Sequence, residues 1–317
     1  MTSEIILIDA LNFFMRHFAA NPTVNENGDH VGGTVGFLKG VQLLIENLKP
    51  QKVYVVWEGG GSIRRRSIYK NYKSGRRPVK LNRFYESDIP DTVGNRNYQI
   101  NLTTKLLGLS GIPQLYVSDC EADDVIGYLV KHKLKEEKLT IVSSDKDYYQ
   151  LLEKNRVKIW SPGQKKILTS DSIREKFGIY PENFCVARCF CGDGSDGLPG
   201  IKGAGFRTLC KRFPEITQEE FVSVEEIIKI SRKMAEESSV KLYHKILEDS
   251  DTPIMNWKLM NLDAINLSSQ QVKKVNYKID TPDRKLDKIN FMRVLIRQGI
   301  KMFDANKFFM TARSIFK

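Results

Sequence analysis

The 317-residue chain contains few cysteines and no long apolar run. Its five cysteines are an odd number spread over a large chain, so they predict no disulfide framework and favour a reducing compartment. No stretch approaches the roughly 18 uninterrupted apolar residues of a membrane helix. The apolar segment near the start contains Asp9 and follows Glu4, which argues against a signal peptide. We therefore expect a cytoplasmic protein without a membrane partner.

Acidic residues are the minority among the charged side chains. Fifty Lys and Arg against 38 Asp and Glu give a net charge of +12 and a pI near 9.3. Such a field attracts anions, and nucleic acid is the default candidate, although many proteins of similar pI bind none. With 41% hydrophobic and 28% charged residues, the composition excludes global disorder.

Short apolar runs alternate with segments of helical spacing in the first half of the chain. The predicted strands are Ile5–Ile8, Val53–Trp57, Gln114–Val117, Leu139–Val142 and Val157–Trp160, with a short extension at Lys166–Leu168. Runs that do not alternate with polar residues are typical of strands buried on both faces. The pattern therefore predicts an α/β fold with a mostly parallel central sheet and helices on both faces.

The pattern changes near residue 180. Strand-like runs nearly vanish beyond this point and helical spacing dominates. The length allows two domains, so we predict one over residues 1–180 and a smaller all-helical domain over 181–317.

A basic insertion at residues 59–95 fits neither domain. One window of twenty residues within it carries nine basic residues and no acid, and tyrosines alternate with the cations. Cations bind phosphates and tyrosine faces stack on bases, as in grooves for single strands. The predicted nucleic-acid contacts here are Arg64, Arg65, Arg66, Lys70 and Tyr72. A solvated, locally disordered basic loop is the alternative.

An acid follows each of the first four predicted strands. These strand ends carry Asp9, Glu58, Glu121, Asp123, Asp124, Asp145 and Asp147. Because the carboxyl ends of parallel strands meet at one edge of a sheet, the side chains should converge there. Helix capping explains an isolated acid, but seven like charges repel unless something positive lies among them. Asp193 and Asp196, in a glycine-rich segment, bring the set to nine.

Oxygen ligands without a nearby histidine favour Mg²⁺ or Mn²⁺ over zinc, copper or iron. A site with this many carboxylates can hold two such ions about 3.5–4 Å apart, as in phosphodiester cleavage. An acidic metal pocket in a basic protein therefore indicates a nuclease. We expect Asp123 and Asp145 to be essential for its catalysis.

A glycine-rich turn follows the predicted domain boundary. Gly200, Gly203 and Gly205, with Lys202 and Arg207, precede the predicted helix Thr208–Phe213. Such a turn lets backbone amides approach a phosphate. A link between two helices that needs glycine only for steric reasons is the alternative.

Five stretches, in this order, make the chain similar to the 5′-nuclease or flap-endonuclease family. They are LIDALN around Asp9, YKNYKSGRRP around Tyr72, CEADDVIGYL at 120–129, SSDKDYYQLL at 143–152 and GDGSDGLPGIKGAG at 192–205. They lie within roughly the first 215 residues. The remaining third resembles the helical ending of the phage ribonuclease H branch. The chain departs from the family's pattern at Glu58, where the family usually has Asp.

The resemblance implies roles for these positions. The metal ions would be held by Asp9, Glu121, Asp123, Asp145 and Asp147, with Asp124, Asp193 and Asp196 as outer members. Residues 59–95 would form a helical arch, with Lys73 and Arg76 at its base acting on the scissile phosphate. Residues 192–213 would form a helix-hairpin-helix-like element that grips duplex backbone, a place where some relatives bind K⁺.

The function implied is that of a structure-specific 5′ nuclease, a 5′→3′ exonuclease or flap endonuclease with ribonuclease H-type activity. It would hydrolyse RNA primers and 5′ flaps during replication with two Mg²⁺ ions, for which Mn²⁺ substitutes. The expected partners of this monomer are DNA and RNA–DNA duplexes with 5′ single-stranded ends, and single-stranded-DNA-binding or other replication proteins. A phage-encoded chain would act in the host cytoplasm. The alternatives are a PIN-type ribonuclease and a non-catalytic DNA-binding replication factor on the same fold.

Overall fold

A twisted sheet lies at the centre of the computed structural model, which describes residues 4–75 and 93–316. Its strands are β1 (Glu4–Asp9), β2 (Lys52–Trp57), β3 (Gln114–Tyr116), β4 (Lys138–Val142), β5 (Val157–Ser161) and β6 (Lys166–Leu168). They are arranged in the order β3-β2-β1-β4-β5-β6. Neighbours from β3 to β5 pair in parallel and β6 pairs antiparallel with β5. The predicted mostly parallel sheet is confirmed.

Helices surround the sheet and make up the later part of the chain. The first six are α1 (Ala10–Ala20), α2 (Gly32–Leu48), α3 (Ile63–Ile68), α4 (Val93–Leu109), α5 (Ala122–Tyr128) and α6 (Ser170–Phe177). The others are α7 (Pro181–Cys191), α8 (Phe206–Arg212), α9 (Val224–Glu237), α10 (Lys241–Glu248), α11 (Asp251–Met260), α12 (Ser269–Asp280), α13 (Lys288–Arg297) and α14 (Ala305–Arg313). Within the described residues, none of them combines the length and apolarity needed to cross a bilayer.

Alternate side chains of each strand enter two different cores. Ile6 and Ile8 of β1 belong to a cluster with residues of α1, α2 and α4. Ile5 and Leu7 belong to a second cluster on the other face, with residues of α5. Successive side chains of a strand point to opposite faces, so a strand without polar alternation is buried on both. The predicted helices on both faces are confirmed.

A third core lies outside the sheet, and it begins near the predicted boundary at residue 180 but ends well before residue 317. It gathers apolar residues between Ile179 and Met260 together with Tyr72. The last three helices contribute elsewhere, because Val275 of α12 joins one core of the sheet and Phe291 and Phe308 join the other. The predicted unit 181–317 is therefore not one packing unit. We propose that the separate helical unit ends near residue 260.

Gly59 joins the ends of β2 and β3 beside two of the predicted site acids. Its N–H donates to the carbonyl of Cys120 (3.1 Å), and its carbonyl accepts from the N–H of Asp119 (2.9 Å). A Cβ atom at position 59 would lie 1.7 Å from the carbonyl oxygen of Val117. The turn that places Glu58 therefore has no space for a side chain.

Gly59→Ala should lower the free energy of unfolding by roughly 1–3 kcal/mol, because the backbone must move to relieve the overlap. Gly108→Ala is the control, since its Cβ would meet nothing nearer than 3.7 Å and alanine favours the helix. It should be as stable as the native chain or more stable. Denaturant unfolding measures both, and native-like stability of Gly59→Ala would contradict the packing described.

Candidate active site

The carboxyl ends of the parallel strands form the floor of an open cleft. Five of the predicted metal ligands line it, namely Asp9, Glu58, Glu121, Asp123 and Asp145, together with Lys73. They arrive from β1, β2, the turn after β3 and the turn after β4. Parallel pairing places these strand ends at one edge, so the expected convergence of the acids is observed.

Asp9 is the last residue of β1 and caps the first turn of α1. Its Oδ1 accepts from the N–H of Asn12 (3.3 Å), while the hydroxyls of Ser143 (3.1 Å) and Tyr148 (3.2 Å) donate to its Oδ2. Burial and the nearby charge of Asp145 raise the pKa of Asp9 to about 7. Asp9 is thus held rigidly, and its negative charge is poorly compensated.

One guanidinium binds three carboxylates in the turn after β3. Arg65 of α3 is 1% exposed. Its Nη1 lies 2.5 Å from Glu121 Oε2 and 3.0 Å from Asp123 Oδ1, and its Nη2 lies 2.7 Å from Asp124 Oδ1. Glu121 and Asp124 also cap each other's backbone at the start of α5. Arg65 therefore fixes the acids of this turn as one unit.

The guanidinium does not neutralise its three partners equally. Burial alone would raise the pKa of Asp123, but Arg65 and Lys73 outweigh it and lower the pKa. Burial, together with the charges of Asp123 and Glu121, raises the pKa of Asp124 to about 7 in spite of Arg65. The turn therefore keeps a proton or an unbalanced charge near neutral pH.

The structure places Arg65 and Tyr72, two of the predicted nucleic-acid contacts, inside the acidic cluster. The guanidinium is enclosed among carboxylates, and Tyr72 is only 7% exposed. The Tyr72 hydroxyl donates to Glu121 Oε2 (3.1 Å), and its ring lies 4.9 Å from Lys73 Nζ. Separating a buried cation from its carboxylates is strongly destabilising, so Arg65 stays with the acids of this turn.

The neighbouring predicted contacts differ in exposure. Arg64 is partly buried and donates to the carbonyl of Lys258 (3.1 Å), whereas Arg66 and Lys70 are exposed. Arg76, predicted to act on the phosphate, lies outside the described residues, as does the middle of the predicted arch. Of the basic insertion, Arg66 and Lys70 are thus the described cations most open to an external anion.

Lys73 reaches into the cleft from an unusual backbone position. Its φ is +58°, in the left-handed region, and its N–H donates to the carbonyl of Asp196 (2.9 Å). The ammonium Nζ lies 2.5 Å from Glu121 Oε2. Strained backbone of this kind persists when the surroundings fix it. The chain therefore holds this cation among the acids.

A second group of acids lies beside the cleft. One carboxylate oxygen from each of Asp147, Asp193 and Asp196 lies within 4.8 Å of the others. Arg188 of α7 places its Nη2 at 2.6 Å from Asp147 Oδ1 and 2.5 Å from Asp193 Oδ2. Sequence reasoning missed Arg188, although a lone cation within the apolar stretch of α7 was a usable signal. Three carboxylates this close offer a cation an all-oxygen site.

The charges of this second group are only partly compensated. Burial and the charge of Asp145 raise the pKa of Asp147 to about 7, although Arg188 opposes them. Burial alone would raise the pKa of Asp193, but hydrogen bonds from Ser195 and the charge of Arg188 lower it. The guanidinium therefore leaves Asp147 with an unfavourable charge.

The prediction that something positive must lie among the acids is met in part by the chain itself. Arg65, Lys73 and Arg188 supply that charge. Neither Asp9 nor Asp145, however, forms an ion pair with any described Lys or Arg, and burial also raises the pKa of Asp145. Hard divalent cations prefer such oxygen donors. The donor set therefore fits Mg²⁺ or Mn²⁺.

The glycine-rich turn lies at the surface before α8. A Cβ at Gly200 would lie 2.1 Å from the carbonyl oxygen of Cys191, so glycine is needed there for steric reasons. Nothing lies within 4 Å of the corresponding positions at Gly203 and Gly205. Lys202 and Arg207 are exposed beside them. The steric alternative therefore accounts for Gly200, and the outer part of the turn is open to a ligand.

Arg65→Met should destabilise the fold by about 3–5 kcal/mol, because it leaves Asp124 without a cation and leaves Glu121 and Asp123 with Lys73 alone. Arg66→Met, on the exposed side of the same helix, is the matched control and should change the free energy of unfolding by less than about 0.5 kcal/mol. Urea unfolding compares them. Equal stabilities of the two variants would show that the triple ion pair does not support the fold.

Asp9→Asn should stabilise the metal-free protein at alkaline pH. The unfolded chain ionises Asp9 near pH 4, while the folded chain keeps the proton to about pH 7, so native stability falls as the pH rises through this window. The amide removes that loss, which amounts to a few kcal/mol. Unfolding in EDTA at pH 5 and pH 8 measures it. An advantage of the variant that does not grow with pH would contradict the pKa assignment.

Comparison with known proteins agrees with the observed fold. The family model of the 5′-3′ exonuclease N-terminal, resolvase-like domain matches residues 4–178. A 5′-3′ exonuclease of Buchnera aphidicola subsp. Schizaphis graminum is 31% identical over 279 residues, which are 84% of this chain and 90% of the relative. A 5′-3′ exonuclease of Aquifex aeolicus is 29% identical over 307 residues, 94% of this chain and 96% of the relative.

The fold is also that of a solved phage enzyme. The flap endonuclease of bacteriophage T5, in a pseudo-enzyme–product complex with DNA and metal ions, matches with a TM-score of 0.66 at 16% identity. The match covers 93% of this chain and 99% of the phage chain. With its family model spanning more than half of its length, the chain belongs to the 5′-3′ exonuclease family.

Proposed function

We propose that this protein is a structure-specific 5′ nuclease that hydrolyses phosphodiesters in 5′ flaps and RNA primers on duplex DNA. The observation that carries the proposal is the cleft where acids from four strand ends meet in a chain of net charge +12. The basic surface attracts the nucleic-acid backbone and the acidic cleft holds the cations that cleave it. Membership of the 5′-3′ exonuclease family supports the same reaction.

Two cation sites account for the two groups of acids. Asp9 and Asp145, with Glu121 and Asp123, would hold one ion, and Asp147, Asp193 and Asp196 would hold the other. When bound, such ions supply the Lewis-acid chemistry that phosphodiester hydrolysis needs. Mg²⁺ is the proposed ion and Mn²⁺ its substitute. Glu58, which has one methylene group more than the usual Asp, lines the same cleft and can still take part in metal binding.

Lys73 is the described cation best placed to meet the scissile phosphate. It lies in the cleft, where its ammonium binds Glu121 before substrate arrives. A phosphate in the cleft carries negative charge, as Glu121 does, and would compete with Glu121 for the ammonium of Lys73. Transfer of Lys73 from Glu121 to the phosphate would orient the substrate and free one oxygen of Glu121 for a cation. Arg76 is proposed to assist from the adjoining segment.

The nucleic acid is proposed to contact two exposed basic surfaces. Arg66 and Lys70 would meet the 5′ single strand, and Lys202 and Arg207 the duplex at the glycine-rich turn, where K⁺ is a further candidate ligand. The phage enzyme of the same fold was solved with DNA and metal ions, which supports DNA binding by this chain. We further propose that the chain acts as a monomer and meets single-stranded-DNA-binding or other replication proteins.

The two alternatives weighed for the sequence have less support. Membership of the 5′-3′ exonuclease family replaces the PIN-type ribonuclease as an explanation of the acidic sheet edge. A non-catalytic DNA-binding factor would not need an acidic cleft that raises the pKa of its own carboxyl groups. The nuclease therefore remains the function that the site supports best.

Asp145→Asn should lower the cleavage rate about a thousandfold or more, because metal catalysis supplies several kcal/mol of transition-state stabilisation. Asp123→Asn should have a similar effect, and binding of the flap substrate should persist in both. Asp171→Asn, an exposed first-turn residue of α6, is the control and should cleave normally. The assay is hydrolysis of a labelled 5′-flap duplex with Mg²⁺, and with EDTA. Full activity of Asp145→Asn, or activity in EDTA, would refute the proposal.

A further inference from the structure

Helix α11 connects the two segments that carry the second group of acids. We call residues 143–151, which include Asp147, the acid turn, and residues 192–201, which include Asp193 and Asp196, the acid hairpin. The acid turn follows β4 and the acid hairpin follows α7. Each is hydrogen-bonded to α11 or to the residue shortly after it. A helix that contributes none of the three carboxylates is thus hydrogen-bonded to both segments that carry them.

Asn256 of α11 closes the base of the acid hairpin. Its Nδ2 donates to the carbonyls of Cys189 and Pro199, each at 2.8 Å. Cys189 lies near the end of α7, just before the hairpin, and Pro199 lies in its second half, so one amide contacts both sides. Asn256 itself is fully buried. Backbone hydrogen bonds between Asp193 and Leu198 join the two sides of the hairpin to each other. The loss of Asn256 would therefore remove the hydrogen bonds of its amide that hold both sides to α11.

Gln150 makes the corresponding connection to the acid turn. Its Nε2 donates to the carbonyl of Met260 (3.0 Å) and to the carbonyl of Asp147 (2.8 Å), while its Oε1 accepts from the N–H of Leu262 (3.0 Å). The side chain thus ties the backbone of Asp147 to the end of α11. Both halves of the acidic cluster are anchored to the same helix.

The chemistry of Asn256 argues against packing as its only role. Its Oδ1 is buried and accepts no hydrogen bond from a described residue. A buried oxygen without a partner is unfavourable, and an apolar side chain of similar shape would avoid it. The two carbonyls need a donor, however, and they fix the orientation of the amide. The asparagine amide is therefore needed to join α11 to the carbonyls of Cys189 and Pro199.

We propose that Asn256 and Gln150 are positioning residues for a metal site formed by Asp147, Asp193 and Asp196. They hold the acid turn and the acid hairpin on α11, so that the carboxylate oxygens stay within 4.8 Å of one another. The inference rests on the proposed function, since it requires a cation at this cluster. Residues that orient metal ligands through hydrogen bonds commonly affect metal affinity 10- to 100-fold.

The test compares Asn256→Leu with Asn183→Leu. Asn183 of α7 is an equally buried asparagine whose Nδ2 donates to two carbonyls, of Gln218 (3.0 Å) and Glu220 (2.8 Å), in a loop outside the acid hairpin. Calorimetric titration with Mn²⁺ measures metal binding without DNA, and flap cleavage gives the Mg²⁺ concentration for half-maximal rate. Both variants should unfold at lower temperature than the native chain.

Asn256→Leu should weaken Mn²⁺ binding about tenfold or more and raise the Mg²⁺ requirement in parallel. Asn183→Leu should leave both within about twofold of the native chain. Equal effects of the two variants, or native metal binding by Asn256→Leu, would overturn the inference. If Asn256→Leu does not fold, Gln150→Leu carries the test with the same expectation. If the native chain cleaves no flap, the proposed function is refuted. If the native chain cleaves the flap and Asn256→Leu has the same Mn²⁺ affinity and Mg²⁺ requirement as the native chain, only the positioning role is refuted.

Discussion

Repulsion among buried carboxylates is the constraint on which this structure depends. A parallel sheet brings its acidic strand ends to one edge, where they raise one another's pKa. Two arginines offset part of that cost, each at a different group of acids. Arg65 binds three acids of the turn before α5, and Arg188 joins the turn after β4 to the segment after α7. The negative charge that the two arginines leave unbalanced is available to bind divalent cations.

The sheet and the acids were predictable because both depend on local pattern. Apolar runs of four or five residues specify strands, and an acid directly or shortly after a strand needs no knowledge of distant residues to be placed. The roles of the arginines were not predictable in this way. Arg64, Arg65 and Arg66 are identical in type and adjacent in sequence, yet α3 directs one into the acids, leaves one partly buried and exposes one. Helix orientation decided this, and it is set by tertiary packing.

The later part of the chain shows the same limit. Helical spacing predicted that the segment after residue 180 is helical, and it is. Spacing identifies an apolar face of a helix but not its partner, so the return of α12, α13 and α14 to the sheet was missed. Asn256 was missed for a related reason. Its importance lies in two backbone carbonyls far from it in sequence, and a single polar residue in a helix gives no sign of them.

We propose that divalent cations supply the charge that Arg65 and Arg188 do not. Anomalous diffraction from crystals grown with Mn²⁺ locates such ions. We expect one manganese ion bound by Asp9 and Asp145 and a second bound by Asp147, Asp193 and Asp196. Crystals that bind manganese elsewhere but not in the cleft would show that the acids do not need it.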